Sequence, residues 1–257
     1  MTKIIAIASG KGGVGKTTLT TNLAASLANK GKKVIVVDAN LSAPNLAIHL
    51  GIPTASLITL NDVIKHNVYI THALYKHSSG FYVVPADLDE IERNYGGLKK
   101  ALKQLLGNAD VVILDAAPGI NKEVEAAVRI ADEVLLITTP DEASLRNVML
   151  LKRYIDNIGK KIAGVVVNQA RNVHYELSDR EIEERLGVKV LGRVRYHRKF
   201  RESIALGVPF VDIAKGTEQQ MVIDKISQTI LDGQERNLSL LEKVVAFLNR
   251  DIVIWSE

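Results

Sequence analysis

The chain has 257 residues, of which 47% are hydrophobic and 24% charged, and its formal net charge is +4. A chain of this length can bury one sizeable core, and the composition is ordinary for a globular protein. Because the chain contains no cysteine, it cannot form disulfides, Cys-ligated iron–sulfur clusters or Cys-ligated zinc sites.

Strand and helix patterns alternate along the chain. We predict strands at residues 3–8, 33–38, 81–84, 111–115, 133–138, 162–168 and 189–194. Helical patterns lie near residues 17–30, 59–65, 95–106, 121–130, 142–158, 178–186, 198–206 and 217–232. This alternation predicts an α/β fold, with a doubly wound and mostly parallel sheet covered by helices on both faces. Since no repeat or long linker interrupts it, we expect residues 1–257 to form one domain.

The first strand runs into the stretch SGKGGVGKTT at residues 9–18. Its GxxxxGKT spacing between a strand and a helix is that of a phosphate-binding loop. Glycines let the backbone N–H groups turn toward phosphate oxygens, Lys16 brings a cation to the β- and γ-phosphates, and the Thr17 hydroxyl ligates Mg²⁺. The predicted cofactor-binding residues of the loop are Gly12, Gly13, Val14, Gly15, Lys16, Thr17 and Thr18.

A second lysine, Lys11, stands ahead of the usual one, and KGGVGKTT resembles the deviant Walker A motif of the MinD/ParA group of P-loop ATPases. In that group the early lysine reaches across a dimer interface to the nucleotide of the partner subunit. The resemblance implies ATP and Mg²⁺ as cofactors, an ATP-dependent homodimer, and Lys11 as the residue that joins nucleotide binding to dimerisation.

The second strand ends at Asp38, a carboxylate that can either hold Mg²⁺ or cap the next turn. The segment 36–51, VVDANLSAPNLAIHLG, resembles the switch I region of the family, which implies the metal role. Where the family usually has a second Asp, this chain has Asn40, whose amide positions water but does not accept its proton. We therefore expect slow or partner-dependent hydrolysis. The predicted catalytic set is Lys11, Lys16, Asp38 and Asn40.

The strand at 111–115, VVILD, has the form of a Walker B strand, in which Asp115 contacts Mg²⁺ through water. The following Ala-Ala-Pro-Gly, residues 116–119, resembles switch II of the family. Ala116 departs from that pattern, since relatives often carry Ser or Thr there. The predicted metal-binding residues are Thr17, Asp38 and Asp115.

Asn168 closes the strand at 162–168. The resemblance implies that its amide contacts the adenine edge, for which it can donate and accept at once. A turn at the strand end is the alternative. The proline that relatives usually show in the loop after the next strand is missing here, so the other contacts to the base stay open.

That loop begins the most basic cluster of the chain, in which cationic residues alternate with Tyr196, His197 and Phe200. The cluster supplies charge for phosphates and rings for stacking, as nonspecific nucleic-acid binding requires. A solvated helix face around the nucleotide pocket is the interpretation that we favour. ParA-type relatives bind DNA without sequence preference, so DNA is one predicted partner. The basic residues are Arg193, Arg195, Arg198, Lys199 and Arg201.

The C-terminal segment, residues 234–257, carries an apolar stripe at helical spacing. MinD relatives have a short C-terminal amphipathic helix that binds the membrane, and this segment lies at the corresponding position in the chain. Its three basic and four acidic side chains fit a membrane surface less well. A helix packed on its own domain or on a partner is therefore the alternative. The stripe consists of Leu238, Leu241, Val245 and Leu248.

Together these features predict a MinD/ParA-like ATPase that binds Mg·ATP, dimerises around it and hydrolyses it slowly as a positioning switch, with the MinD-like version favoured. Two alternatives are a ParA-like DNA-partitioning ATPase and a metabolic P-loop ligase or synthetase. An activating protein partner is expected. The chain opens without a signal peptide, and no apolar run approaches the roughly 18–20 residues that span a bilayer. We expect a cytoplasmic protein, and peripheral contact with the inner face of the membrane through residues 234–257 is one of the alternatives for this segment.

Overall fold

The structure, a computed structural model, describes residues 2–53, 57–88 and 95–237. The strands are β1 (Lys3–Ser9), β2 (Val34–Ala39), β3 (Tyr75–Lys76), β4 (Tyr82–Val84), β5 (Val111–Pro118), β6 (Glu133–Thr138), β7 (Lys161–Ala170) and β8 (Val190–Arg195). The helices are α1 (Lys16–Asn29), α2 (Leu46–His49), α3 (Leu60–His66), α4 (Tyr95–Lys103), α5 (Lys122–Ile130), α6 (Glu142–Asn157), α7 (Asp179–Leu186), α8 (Lys199–Leu206), α9 (Phe210–Ile213) and α10 (Glu218–Asn237). A 3₁₀ turn covers Ile70–Ala73.

The eight strands form one sheet in the order β3-β4-β2-β5-β1-β6-β7-β8. In this spatial order, every neighbouring pair of strands from β4 across to β8 is parallel. Among the described strands, the short β3–β4 pair is antiparallel. The prediction of a mostly parallel, doubly wound sheet is confirmed. All seven predicted strands are present. The two-residue β3 was not predicted, because it is too short to show a period of its own.

Helices cover both faces of this sheet, as predicted. Ile5 and Ile7 of β1 belong to one cluster of buried side chains with α1 and α10. Ile4 and Ala6 belong to another, with α3, α4 and α5. Successive residues of a strand point to opposite faces, so a strand buried on both must be apolar throughout. This explains the unbroken apolar run from Ile4 to Ala8.

The helix boundaries follow from local capping signals. The Thr59 side chain caps α3 in a reciprocal pair with Asp62, and Ser178 does the same for α7 with Glu181. The eight predicted helices are present, with α4 ending at Lys103 and α10 continuing to Asn237. The four-residue helices α2 and α9 were not predicted, since one turn is too short to display an apolar stripe.

The predicted membrane-binding stripe, Leu238 to Leu248, lies outside the described residues. Across residues 2–53, 57–88 and 95–237, no helix is both long enough and apolar enough to cross a bilayer.

The topology gathers several loops at one edge of the sheet. In parallel strands the carboxyl ends meet at the same edge, and ligands bind where the order of connections reverses. Here β5 lies between β1 and β2, while β6 and β7 follow on the other side of β1. The loops that follow β1, β2, β5 and β7 therefore converge, and they carry the predicted site residues.

Candidate functional site

The loop between β1 and α1 has the backbone of an anion site. Gly13 has φ 80° and Gly15 has φ 88°, in the left-handed region that favours glycine. Gly15 stands immediately before α1 and has no side chain to cap that helix. The first N–H groups of α1 are thus left for an external acceptor, and the helix dipole adds to the attraction of an anion.

The glycines of this loop have two different roles, which the space around each of them reveals. A Cβ at Gly10 would lie 2.3 Å from the Asn147 backbone carbon, so Gly10 allows the loop to pack against α6. A Cβ at Gly13 would meet no atom within 4 Å, and one at Gly12 would meet only the Pro118 Cγ at 4.0 Å. The mouth of the loop is open at Gly12 and Gly13. Open space lined by backbone amides fits the phosphates of a nucleotide.

Lys16 and Thr17 converge on Asp115 below the loop. The Lys16 Nζ lies 3.8 Å from Asp115 Oδ1, and the Thr17 hydroxyl donates to Asp115 Oδ2 at 2.6 Å. The Lys16 side chain is 9% exposed and that of Asp115 2%. Thr20 donates a further, longer hydrogen bond to Asp115 Oδ1 at 3.3 Å. The structure thus brings together three residues predicted from the P-loop and the Walker B strand.

Asp38 is the second buried carboxylate. It pairs with Asp115 in the register of β2 and β5 and is fully buried. Its oxygens accept backbone N–H groups of Asn40, Asn45 and Leu46 at 2.9–3.2 Å. Burial and the neighbouring Asp115 charge raise the pKa of Asp38 to about 7, against the lowering effect of those hydrogen bonds.

The donor set fits Mg²⁺. Two adjacent carboxylates and a hydroxyl are hard oxygen ligands, and a cation would relieve the repulsion between the carboxylates. Within the described residues no group of three His, Asp or Glu side chains could hold a metal ion. A metal at this point would be held by Thr17, Asp38 and Asp115.

Asn40 is buried, with 5% of its surface exposed. Its Nδ2 donates to the Ala43 carbonyl at 2.5 Å, whereas its Oδ1 has no hydrogen-bond partner in the described structure. An unsatisfied buried acceptor is unusual and costs about 1–3 kcal/mol. The amide is therefore poised to accept a hydrogen bond from a water or ligand.

Lys11 contacts its own chain. Its Nζ lies 3.7 Å from Asp141 Oδ1, and both side chains are substantially exposed. Asp141 also caps α6 by accepting the Ser144 N–H at 2.9 Å. Burial raises the pKa of Asp141, but hydrogen bonds from Ser144 and Thr139 outweigh it and hold that pKa below its usual range. An exposed ion pair of this kind is weak, so Lys11 can exchange it for another anion.

The end of β7 is tied to the P-loop. Asn168 Nδ2 donates to the Val14 carbonyl and Gln169 Nε2 to the Gly13 carbonyl, both at 2.8 Å. The amide nitrogen of Asn168 thus holds the phosphate-binding loop, and its contact with adenine stays a prediction. Gln169 was missed by sequence analysis. Its position beside Asn168 at a strand end was the available signal.

The basic cluster divides into engaged and exposed members. Arg193 donates to Asp179 at 2.7 Å and to the Leu177 carbonyl at 2.6 Å, and its side chain is only 18% exposed. Arg195 pairs with Glu218 at 3.1 Å. Arg198 and Arg201 are exposed, and Lys199 is half-buried.

The rings interleaved with this cluster are mostly used within the fold. Phe200 stacks on Phe210 with centroids 4.0 Å apart, and His197 meets the same ring edge-on at 5.5 Å. Tyr196 is 44% exposed, and the Arg171 guanidinium lies 5.4 Å from its ring centroid. Arg193, His197 and Phe200 are therefore engaged within the fold, and DNA binding through the cluster stays a prediction.

Two acidic side chains near the site carried no sequence signal. Glu123 accepts a hydrogen bond from Ser42, and Asp141 pairs with Lys11. Each contact joins segments at least 81 residues apart in the chain, so neither spacing nor periodicity could reveal it.

Comparisons with known proteins identify the family of this chain. The ParA family model, described as NUBPL iron-transfer P-loop NTPase, matches residues 1–231. An uncharacterized ATP-binding protein of Methanocaldococcus jannaschii is 33% identical over 251 residues, which cover 96% of this chain and 94% of that protein. Septum site-determining protein MinD of a Synechocystis species is 31% identical over 247 residues, 91% of each chain.

A solved structure extends the similarity to the fold. The septum site-determining protein MinD from Pyrococcus horikoshii, complexed with Mg-ADP, is similar with a TM-score of 0.85 and 27% identity over 93% of this chain and 100% of that chain. By the family match and these similarities, the chain belongs to the ParA family of P-loop NTPases, in its MinD/ParA group.

Proposed function

We propose that this chain is a MinD-like ATPase that binds Mg·ATP, dimerises around the nucleotide and hydrolyses it slowly as a positioning switch. The observation that carries the proposal is the buried convergence of Lys16 and Thr17 on Asp115, beside Asp38 and beneath the open loop at Gly12 and Gly13. The MinD relative whose structure is complexed with Mg-ADP supports the same ligand for this chain.

Each residue has a role in this proposal. The backbone amides of Gly12 to Thr18 and the Lys16 ammonium hold the phosphates, while Thr17, Asp38 and Asp115 hold the metal. Bound Mg²⁺ would shield the negative charge of the β- and γ-phosphates. Asn168 keeps the loop in shape through Val14 and is also proposed to meet the base.

Slow turnover follows from the residue that faces the water. Asn40 can accept a hydrogen bond through Oδ1, which positions a water molecule, but its amide does not take up a proton. Phosphoryl transfer depends chiefly on positioning and electrostatics, so hydrolysis is retained at a low rate. An activating protein that improves this positioning is part of the proposal.

Dimerisation is proposed to depend on Lys11. In the single chain Lys11 lies near Asp141, in a weak and exposed ion pair. The phosphates of a second subunit carry more negative charge than one carboxylate and would compete for the ammonium group. Nucleotide binding and dimer formation would then be one event.

A second candidate function is nonspecific DNA binding by the dimer. Its support is that Arg198 and Arg201 are exposed, whereas Arg193 donates to Asp179. The MinD-like version instead uses residues 234–257 at the inner face of the membrane. Binding to liposomes and to DNA, each with ATP and with ADP, separates these two outputs.

Gel filtration with and without ATP tests the proposed switch. The wild-type chain should shift toward a dimer with Mg·ATP, and Lys11→Ala should bind a fluorescent ATP analogue but stay monomeric. Asp141→Asn is a matched control because asparagine still caps α6. Because Lys11 has then lost its ion pair, the Asp141→Asn chain should dimerise at least as tightly as wild type. Any gain in dimer affinity should be at most about fivefold. A dimer in Lys11→Ala, or a wild type without nucleotide affinity, would contradict the proposal.

A further inference from the structure

The loop at residues 40–45, between β2 and α2, is anchored at both ends by one side chain. Asp38 Oδ1 accepts the Asn40 N–H at 3.2 Å, and Asp38 Oδ2 accepts the N–H groups of Asn45 and Leu46 at 3.0 and 2.9 Å. These bonds fix where the loop leaves the sheet and where it enters α2. The middle of the loop is held by a different contact.

That contact joins Ser42 to Glu123. The Ser42 hydroxyl donates to Glu123 Oε2 at 2.6 Å, across 81 residues of chain. Ser42 is exposed, but Glu123 is only 7% exposed. A buried carboxylate is costly unless hydrogen bonds satisfy it, so Glu123 is poorly explained as an ordinary surface residue of α5. Its position is explained if the loop is what it holds.

The start of α5 is itself fixed to the Walker B strand. Asn121 accepts the Val124 N–H at 3.0 Å and donates to the Pro118 carbonyl at 3.2 Å. Pro118 ends β5, three residues beyond Asp115. Glu123 therefore projects from a rigid support that belongs to the metal-binding edge of the sheet, which suits a residue that positions a neighbouring loop.

The contact also reaches Asn40. The residue after Ser42 is Ala43, and its carbonyl accepts the Asn40 Nδ2 at 2.5 Å. With Nδ2 engaged, the amide has one orientation, and its buried Oδ1 is the group left without a partner. Holding Ser42 thus holds the Ala43 carbonyl, which in turn sets the direction of the Asn40 oxygen.

We propose that Glu123 is a positioning residue for hydrolysis: through Ser42 and Ala43 it orients Asn40 Oδ1 so that this oxygen accepts a hydrogen bond from the attacking water. The inference rests on the proposed ATPase function and names a further residue of that site. Glu123 acts through Ser42 and is not itself a catalytic residue. Asn40 stands where the family that this chain resembles usually has a second carboxylate, and the buried Glu123 keeps its amide in one orientation.

Four variants separate this role from general stability. Ser42→Ala removes the donor and Glu123→Ala removes the acceptor, whereas Glu123→Gln keeps an acceptor oxygen without the charge. Glu125→Ala is the matched control, since Glu125 lies on the same helix and pairs with Arg129 instead. Each variant is compared with wild type for affinity toward a fluorescent ATP analogue and for single-turnover hydrolysis of bound ATP.

We expect Ser42→Ala and Glu123→Ala to slow the chemical step of hydrolysis and to leave nucleotide binding unchanged. Hydrolysis should fall about ten- to a hundredfold in Ser42→Ala and Glu123→Ala, because a misplaced water lowers the rate of a well-positioned reaction. Affinity should stay within about threefold of wild type, because the phosphate-binding groups are untouched. Glu123→Gln should recover most of the rate, and Glu125→Ala should match wild type.

Hydrogen exchange of the nucleotide-free protein gives a readout that does not depend on activity. The amides of residues 40–46 should exchange faster in Ser42→Ala and Glu123→Ala, and at the wild-type rate in Glu123→Gln and Glu125→Ala. Faster exchange confined to this segment supports the anchoring contact. Faster exchange throughout the chain would show a general loss of stability and overturn the proposal.

Unchanged single-turnover rates in both Ser42→Ala and Glu123→Ala would overturn the inference. The proposed function would still stand in that case, because wild type would still hydrolyse ATP. A Glu123→Gln variant as slow as Glu123→Ala would also overturn it, since the hydrogen bond would then be irrelevant. If wild type hydrolyses no ATP, the proposed function fails, and this inference fails with it.

Discussion

Asp38 and Asp115 face each other at the ends of neighbouring strands, and this pair of residues sets the electrostatics of the site. The unfolded chain binds a proton at Asp38 with a pKa of 3.8, whereas burial and the charge of Asp115 raise the folded value to about 7. Between these values the folded state binds more protons. The contribution of Asp38 to stability is therefore fully present below about pH 4 and is lost as the pH rises through about 7.

We expect the nucleotide-free protein to lose about 2–4 kcal/mol of unfolding free energy from this residue between pH 4 and pH 8. Urea unfolding followed by circular dichroism over this range measures the slope. In Asp115→Asn the neighbouring charge is gone, so the slope should flatten. Mg·ADP should stabilise wild type more at pH 8 than at pH 5.5, because a cation favours the ionised carboxylate. Equal slopes in wild type and Asp115→Asn would contradict this account.

At the scale of elements, the P-loop is shaped by what lies on either side of it. Gly10 packs against the α6 backbone, while Gly12 faces the open mouth of the loop. Val14 and Gly13 are held by side chains from the end of β7. Consecutive glycines of one motif thus serve packing and ligand binding separately.

An alanine scan of two glycines should divide stability from binding. Gly10→Ala places a methyl group against the Asn147 backbone and should cost about 1–3 kcal/mol through overpacking. Gly12→Ala should leave stability within about 0.5 kcal/mol of wild type. Its methyl group enters the space of the phosphates, so nucleotide affinity should fall by at least about tenfold, or 1.4 kcal/mol. Thermal unfolding and titration with a fluorescent nucleotide measure the two effects. Loss of stability in Gly12→Ala, or intact stability in Gly10→Ala, would contradict this division.

Sequence patterns predicted those elements whose signals are local. A run such as Ile4 to Ala8 indicates a strand buried on both faces, and the glycine and lysine spacing of the P-loop identifies its ligand class. The side-chain contacts that complete the site are not local. Glu123 meets Ser42, and Asp141 meets Lys11, only after β1, β2, β5 and β6 are assembled in one sheet. Short elements such as α9 depend on the same tertiary contacts and show no periodicity.

Across the whole molecule, two surfaces are candidates for the output of the proposed switch. The exposed Arg198 lies at the start of α8 and the exposed Arg201 within it, whereas Arg193 donates to Asp179. The membrane alternative depends on residues 234–257. Because the described part of α10 reaches Asn237, a truncation after Asn237 keeps every described residue of this helix, whereas a cut at residue 234 would remove some of them.

A chain truncated after Asn237 and an Arg198→Glu/Arg201→Glu variant should therefore separate the two outputs. If the switch is MinD-like, wild type should sediment with anionic liposomes in ATP but not ADP, the truncated chain should not, and the arginine variant should bind as wild type does. If the switch binds DNA, the arginine variant should lose ATP-dependent binding to nonspecific duplexes. Any remaining DNA affinity should depend less on salt concentration, because about two phosphate contacts are gone. ATP-dependent dimerisation, measured by gel filtration, controls for folding in both variants. We expect the liposome result, and a truncated chain that still sediments with liposomes in ATP would overturn it.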